Sequence, residues 1–399
     1  MRVCILYQHD PTAHYSGGIG TFINTFIKYA PADFDISLVG VAVDPRAHPV
    51  GAWHRVRVAG RPVEFLPIVA AHPALRDRVP LSLRYTWALK RYWKTINVRD
   101  AVIELHRIEP GLALKGLTNP KILFLHVHPE DLCNPMTEVA WGRWFPWLYF
   151  WLERQLIKDM ARVFLVRQDA VGWYRNRYPN LAERFSFLPT WMDEEVFVSL
   201  PEGERRWQKQ ELARAHGLDP NDRLLLFVGR FEGQKDPLRL LQAFRQVNGR
   251  ENHTRLVMIG EGALEGEIRG YLAAHRLTGR VSIVRPQPQS EIAKWMNAAD
   301  CLCLSSAFEG MPRVVIEALR CGLPVVSTAV GEVPRVLTTD QAGRLVRERT
   351  PEALGAAIGE VLRQPPDREA CQEQGAPFTA KKILGQVYAS YRTLGQQAG

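Results

Sequence analysis

Short, almost unbroken Val/Ile/Leu runs alternate with helix-like stretches in this chain, and they do so in two successive series. The first series comprises residues 2–7 (RVCILY), 35–43 (DISLVGVAV), 101–106 (AVIELH), 121–127 (KILFLHV) and 162–166 (RVFLV). The second comprises 223–229 (RLLLFVG), 255–260 (RLVMIG), 281–284 (VSIV), 301–306 (CLCLSS), 323–328 (LPVVST) and 343–346 (GRLV). A strand that is apolar on both sides must be covered on both sides, which is the condition of a parallel sheet flanked by helices. Each series therefore predicts a doubly wound, Rossmann-like α/β domain. A length of 399 residues exceeds what one hydrophobic core usually serves. The expected division is 1–190, then 191–375, with the boundary near 187–197 (FLPTWMDEEVF). Residues 376–399 read as a helix returning toward the first domain. Sheets of this kind take ligands at the carboxyl ends of their strands, and two such domains facing each other would share a cleft.

Charge is unevenly distributed. Residues 1–190 hold 24 Lys/Arg against 16 Asp/Glu, or +8, whereas residues 191–399 hold 27 against 26, or +1. Eight of the 11 Trp also lie in the first half. No run of about 18 uncharged apolar residues suggests a spanning helix. The start, MRVCILYQHD, enters a strand-like run directly, so no signal peptide is expected. The six cysteines (Cys4, Cys133, Cys301, Cys303, Cys321, Cys371) lack a second ligand pair at metal-binding spacing, and buried thiols are the expectation. These features together predict a cytoplasmic protein.

Three motifs can carry chemistry. In YSGGIGTF, 15–22, Gly17 and Gly18 lie after the first strand and before an apolar helix over 19–30. Glycines let backbone amides approach an anion, and the helix dipole adds about half a positive charge there. The spacing is not that of the dinucleotide fingerprint. In VGRFEGQKDP, 228–237, Arg230 and Lys235 share one strand-to-helix loop, with Asp236 as the helix cap and Pro237 at its first position. Two cations in such a loop suit a diphosphate. In FEGMPRVVIE, 308–317, Glu309 and Glu317 flank a helix predicted to begin at Pro312, with Gly310 in the turn and amides available at Met311, Arg313 and Val314. Glu309 can accept from hydroxyls or cap the helix. Glu317 sits on an apolar helix face, where a carboxylate without a partner is rare. The acidic triplet Asp33-Phe34-Asp35 begins an edge-like strand and is not read as a metal motif.

The set GGIG, GR…K, EGMPRVVIEAL and CGLPVVSTAVGEVPRVL resembles the retaining glycosyltransferases of family 4, strongly over about 223–346 and fairly over 1–30. The resemblance implies the GT-B fold. It also implies transfer of a hexosyl group from a nucleotide diphosphate sugar, a UDP- or GDP-sugar, with retention and with no metal or cofactor. It assigns Arg230 and Lys235 to the diphosphate, Glu309 to hydroxyls of the donor sugar and Glu317 to the ribose. Gly18, beside Gly17, matches the loop facing the phosphates. His126 matches a histidine at the reacting face, with His106 and His128 as competitors. Closure of the two domains would bring His126 and Gly18 to the donor. Alternatives are a nucleotide-sugar epimerase of the same fold and a non-catalytic subunit of a membrane glycan assembly.

Two stretches concentrate the basic aromatic character. Residues 81–99 hold five basic residues, no acid, and Tyr85, Trp87, Tyr92 and Trp93. Residues 141–158 hold four Trp with Phe145, Tyr149 and Phe150. Trp and Tyr favour headgroup depth, and each basic residue near an anionic leaflet contributes about 1 kcal/mol. The expectation is peripheral contact with the inner face of the plasma membrane and a glycan or lipid-linked acceptor from bacterial polysaccharide assembly. No nucleic-acid module is recognised, and no such partner is expected.

Overall fold

The computed structural model describes residues 1–13, 17–71, 79–126, 128, 146–249 and 253–397. The chain forms two units, Met1–Pro189 with Ala380–Gly399 and Thr190–Thr379. Each is built on a sheet of the kind the apolar runs require.

In the first unit the strands are β1 (Arg2–Leu6), β2 (Asp35–Ala42), β3 (His54–Val58), β4 (Arg61–Ala70), β5 (Ala101–Leu105), β6 (Lys121–Leu125), β7 (Arg162–Leu165) and β8 (Phe185–Phe187). Their order is β3-β4-β2-β1-β5-β6-β7-β8, parallel except for the β3–β4 hairpin. The central strands are apolar on both faces because helices cover both: β5 is buried at every position. β3 and β4 do not follow that rule. Exposed or half-exposed residues alternate with buried ones along β3 and the first half of β4, and the two strands are joined at Ala59 and Gly60, both with positive φ (47° and 84°). That geometry is the tight hairpin turn in which glycine is favoured. The sequence reading omitted β3, β4 and β8. It also put Asp33-Phe34-Asp35 at an edge, whereas β2 lies inside the sheet, between β4 and β1. Asp35 pairs with Arg2 (3.7 Å) and Asp33 with Arg392 (2.9 Å). The helix Ala380–Gln397 belongs to this unit: the Tyr388 hydroxyl donates to the Phe26 carbonyl (2.7 Å), and the Tyr388 and Tyr391 rings lie 5.1 and 5.5 Å from that of Phe26.

In the second unit the strands are β9 (Arg223–Val228), β10 (Thr254–Ile259), β11 (Val281–Val284), β12 (Cys301–Leu304), β13 (Val325–Thr328) and β14 (Gly343–Val346). The order β11-β10-β9-β12-β13-β14 is wholly parallel. Its direction of growth reverses between β9 and β12, the switch point at which open α/β sheets hold ligands. The reversal in the first unit falls between β1 and β5.

The five described cysteines are buried and free, and Cys133 lies outside the described residues. Among the described residues no helix is long and apolar enough to cross a membrane.

Candidate functional site

The loops that leave β9 and β12 at the second unit's switch point carry the residues singled out in the sequence. Arg230 follows Gly229 at the end of β9, and Lys235 precedes the helix Pro237–Asn248. Asp236 caps that helix as expected: its side chain accepts from the Arg239 amide, and it sits at φ 46°. The two loops are tied by hydrogen bonds. The Ala307 amide donates to Gln234 O (2.8 Å), Gln234 Nε2 to Phe308 O (3.3 Å), and Ser305 Oγ to Asp236 O (2.7 Å). A third loop, after β13, closes on them. Thr328 Oγ1 donates to Ser306 O (2.8 Å) and the Glu332 amide to Gly310 O (2.9 Å). Gly331 makes this approach possible, with φ 54° and a would-be Cβ only 2.3 Å from the carbonyl oxygens of Glu309 and Gly310.

The chemistry of the site starts from one contact. Lys235 Nζ lies 2.5 Å from Glu309 Oε1, and the Glu309 side chain is only 6% exposed. Ser306 Oγ donates to the same carboxylate oxygen at 2.6 Å. Arg230 pairs with Glu232 (3.1 Å) and reaches Gln234 Oε1 (3.4 Å), leaving its side chain 43% exposed. An ammonium beside a buried carboxylate is a pair that an anion carrying hydroxyl groups can divide, phosphate to the cation and hydroxyls to the acid.

The helix after Glu309 begins one residue later than expected. Pro312 is its cap, in extended conformation (ψ 113°), and the helix runs Arg313–Arg320. The extended ψ keeps Pro312 out of the first turn, so Arg313 and Val314 supply the leading amides, which have no partner within the helix. Met311 is buried, and its sulfur accepts from the Thr190 amide (3.1 Å). Glu317 is buried and pairs with Arg313 Nε at 3.3 Å. Burial pushes the Glu317 carboxyl up, with Arg313 opposing. Glu309, before the helix, therefore meets Lys235, and Glu317, within it, meets Arg313.

In the first unit Gly17 caps the helix Gly18–Tyr29, and no atom lies within 4 Å of a would-be Cβ at Gly17 or Gly18. Tyr15 and Ser16 of the same motif lie outside the described residues. His126 follows β6, half-buried, with its ring edge-on to Phe22 at 5.0 Å. Of its competitors, His106 is buried behind it, and His128 is buried with its ring 6.4 Å from that of Trp173. No group of three or more His, Cys, Asp or Glu fit to hold a metal ion occurs among the described residues. The sequence reading missed Ser306 and Glu104. For Ser306 the signal was a hydroxyl at the end of an apolar strand. For Glu104 it was a carboxylate inside one.

The family model described as Glycosyl transferases group 1 matches residues 208–377. These residues form a glycosyl transferases group 1 domain. The match contains every tie just described in the second unit except that of Thr190. The D-inositol 3-phosphate glycosyltransferase of Segniliparus rotundus is 29% identical over 248 residues, 60% of this chain and 54% of that protein. The chain spans about half the length of the first curated relatives it matches. Over nearly the whole chain the likeness is structural. Sucrose-phosphate synthase from Thermosynechococcus elongatus superposes with a TM-score of 0.82 at 18% identity, covering 99% of each chain. Anabaena Alr3699/HepE in complex with UDP-glucose gives 0.65 at 17%, covering 100% of this chain and 98% of that one. The group 1 domain and the unit before it thus share the GT-B fold.

The aromatic stretches divide by face. On the helix Leu81–Tyr92, Tyr85 is buried and donates to Val39 O (2.7 Å), while Trp87 is 65% exposed. On the helix Pro146–Leu156, Tyr149, Leu152 and Leu156 are buried, while Trp147 and Trp151 are 68% and 57% exposed. Residues 141–145 of the second stretch lie outside the described residues.

Proposed function

We propose that the chain transfers a hexosyl group from a nucleotide diphosphate sugar to a glycan or lipid-linked sugar acceptor, with retention, and with neither metal nor resident cofactor. The Lys235–Glu309 pair at the switch point carries this reading. The match to the group 1 family and a UDP-glucose complex of the same fold support a nucleotide-sugar donor. When the diphosphate enters, Lys235 exchanges Glu309 for phosphate oxygens. Glu309 is then free to accept from sugar hydroxyls, with Ser306 still holding it. Negative charge grows on the leaving phosphate as the glycosidic bond breaks. Lys235, Arg230 and the amides of Met311, Arg313 and Val314 oppose that charge without reorganising, the arrangement that makes electrostatic stabilisation effective. Glu317 takes the ribose hydroxyls. A catalytic role is also proposed for His126, which follows β6.

The test begins with thermal shift against UDP and GDP, since a ligand that prefers the folded form raises the apparent stability. The nucleotide that binds then selects the donor for a transfer assay in EDTA. Full activity in chelator is the expected result, and strict dependence on magnesium or manganese would defeat the metal-free reading. Release of a free epimer from donor alone would replace transfer by epimerisation.

The acceptor half of the proposal concerns a lipid surface. Trp147 and Trp151 stand one turn apart on a helix whose other face is core, and Trp87 is exposed on a helix with three basic residues. Vesicles containing phosphatidylglycerol should bind the protein. Trp147→Ala with Trp151→Ala should weaken this about tenfold, or roughly 1.4 kcal/mol, and added salt should weaken it by screening. Equal sedimentation with neutral phosphatidylcholine vesicles would remove the membrane component.

A further inference from the structure

Glu104 is a fully buried carboxylate in the interior of the first unit's sheet, on β5 between β1 and β6. Its Oε2 accepts from the hydroxyl of Tyr391, on the helix Ala380–Gln397. Its Oε1 lies 2.8 Å from His106 Nε2. The other nitrogen of His106, Nδ1, lies 3.0 Å from His126 Nε2. The two imidazoles are inclined by only 20°, with centroids 5.3 Å apart, so a shared N–H···N bond can run close to both ring planes. A continuous line of hydrogen bonds thus leads from Tyr391 through Glu104 and His106 to His126.

Such a line has two proton arrangements. Each contact holds one proton, and a neutral imidazole has one N–H and one lone pair. If Glu104 is ionised, His106 donates to it from Nε2 and keeps a lone pair on Nδ1. His126 must then donate from Nε2, and its Nδ1 is bare. If Glu104 carries a proton, the carboxyl donates to His106 Nε2, His106 donates from Nδ1, and His126 carries its proton on Nδ1. Tyr391, donating to Oε2, leaves Oε1 to take part. Both arrangements need neutral rings, which burial provides: His106 is lowered to about 3 and His126 well below its usual range.

We propose that Glu104 is a positioning residue that sets, through His106, which ring nitrogen of His126 carries the proton, and so whether His126 gives or accepts a hydrogen bond at the substrate. The consequence for catalysis rests on the reading of His126 given above.

The arrangement changes with pH because burial pushes Glu104 up to about 8, with the Tyr391 hydrogen bond opposing. Below that value Nδ1 of His126 carries the proton, and above it Nε2 does. Among the described residues, the titratable groups facing the line are Cys4 from β1, Tyr7 and His9 from the segment after it, and Tyr388 and Tyr391 from the C-terminal helix. Phe22 and Phe124 pack their rings against it. Burial lowers His9, pushes Cys4 up to about 11 and raises Tyr388 and Tyr391, so these four groups keep their charge through the changeover.

The experiment is a long-range 1H–15N spectrum of the full chain labelled in its imidazoles, at pH 6.5 and 9.5, with His126 assigned by its loss in His126→Asn. The wild type should show His126 protonated on Nδ1 at the lower pH and on Nε2 at the higher. Glu104→Gln should hold the Nδ1 form at both, since the amide donates to His106 while its oxygen accepts from Tyr391. Tyr391→Phe removes a bond that favours the carboxylate and should move the changeover to higher pH. A wild-type tautomer identical at both pH values, or a changeover that survives Glu104→Gln, overturns the proposal. If Glu104→Gln does not fold, an unmoved changeover in Tyr391→Phe overturns it instead. Turnover of His126→Asn tests the catalytic reading separately: unaltered transfer removes that reading, whereas the tautomer measurement still decides the role of Glu104.

Discussion

Lys235→Ala is expected to lower turnover at least tenfold, or about 1.4 kcal/mol in the barrier, with the far-UV circular dichroism unchanged. Lys235 is the cation in direct contact with the buried acid of the site, at 2.5 Å. Removing it has two effects of the same sign. The leaving diphosphate loses an ammonium whose attraction at 4 Å is about 4 kcal/mol at an effective dielectric of 20. Glu309 also loses its cationic partner and keeps the hydrogen bond from Ser306, so an incoming phosphate meets a carboxyl group with no ammonium beside it. Arg230→Ala should cost less, because that guanidinium is 43% exposed and already paired with Glu232. Initial rates with the nucleotide sugar chosen by thermal shift make the comparison. Wild-type turnover in Lys235→Ala would end the case for a diphosphate clamp here.

Gly331→Ala should destabilise the second unit by about 3 kcal/mol and abolish the thermal shift produced by nucleotide. The residue has φ 54°, and a Cβ would stand 2.3 Å from the backbone oxygens of Glu309 and Gly310. Backbone strain of this kind costs of order 1–3 kcal/mol, and overpacking against main-chain atoms adds roughly as much. The chain can escape only by separating the β13 loop from the β12 loop, which breaks the bond from the Glu332 amide to Gly310 and shifts Glu309. Urea denaturation and nucleotide-dependent melting would read both effects. A variant with wild-type midpoint and wild-type ligand response would mean that these loops part without cost.

The group 1 domain was easier to read from the sequence than the unit before it, for a physical reason. Strands buried on both faces leave unbroken apolar runs, and β9, β11, β12 and β14 begin at the residues where those runs begin. β3 and the start of β4 alternate between exposed and buried residues, and Pro62 and Pro67 interrupt β4, so neither gives the unbroken Val/Ile/Leu run; β8 is only three residues long. Arg230, Lys235, Glu309 and Glu317 could be found because each lies in a short motif at a strand end or helix start. The line through Glu104 could not. Tyr391 lies 287 residues from Glu104, and no local pattern joins them. The unusual element was visible on its own, a carboxylate within AVIELH, and the argument applied to Glu317 applies to it equally. Pro312 shows the limit at the level of single residues. Proline suits both the cap and the first helical position, and only the observed ψ decides between them.

The first unit is assembled from two stretches of chain separated by the whole of Thr190–Thr379. During synthesis, residues 1–189 leave the ribosome long before the helix that covers Phe26 and holds Glu104. At about 5–20 residues per second, the intervening 190 residues take on the order of 10–40 s. Throughout that interval Phe26 and Glu104 lack the contacts that Tyr388 and Tyr391 later supply. The chain of the domain born second is therefore complete before the last helix of the domain born first has been made.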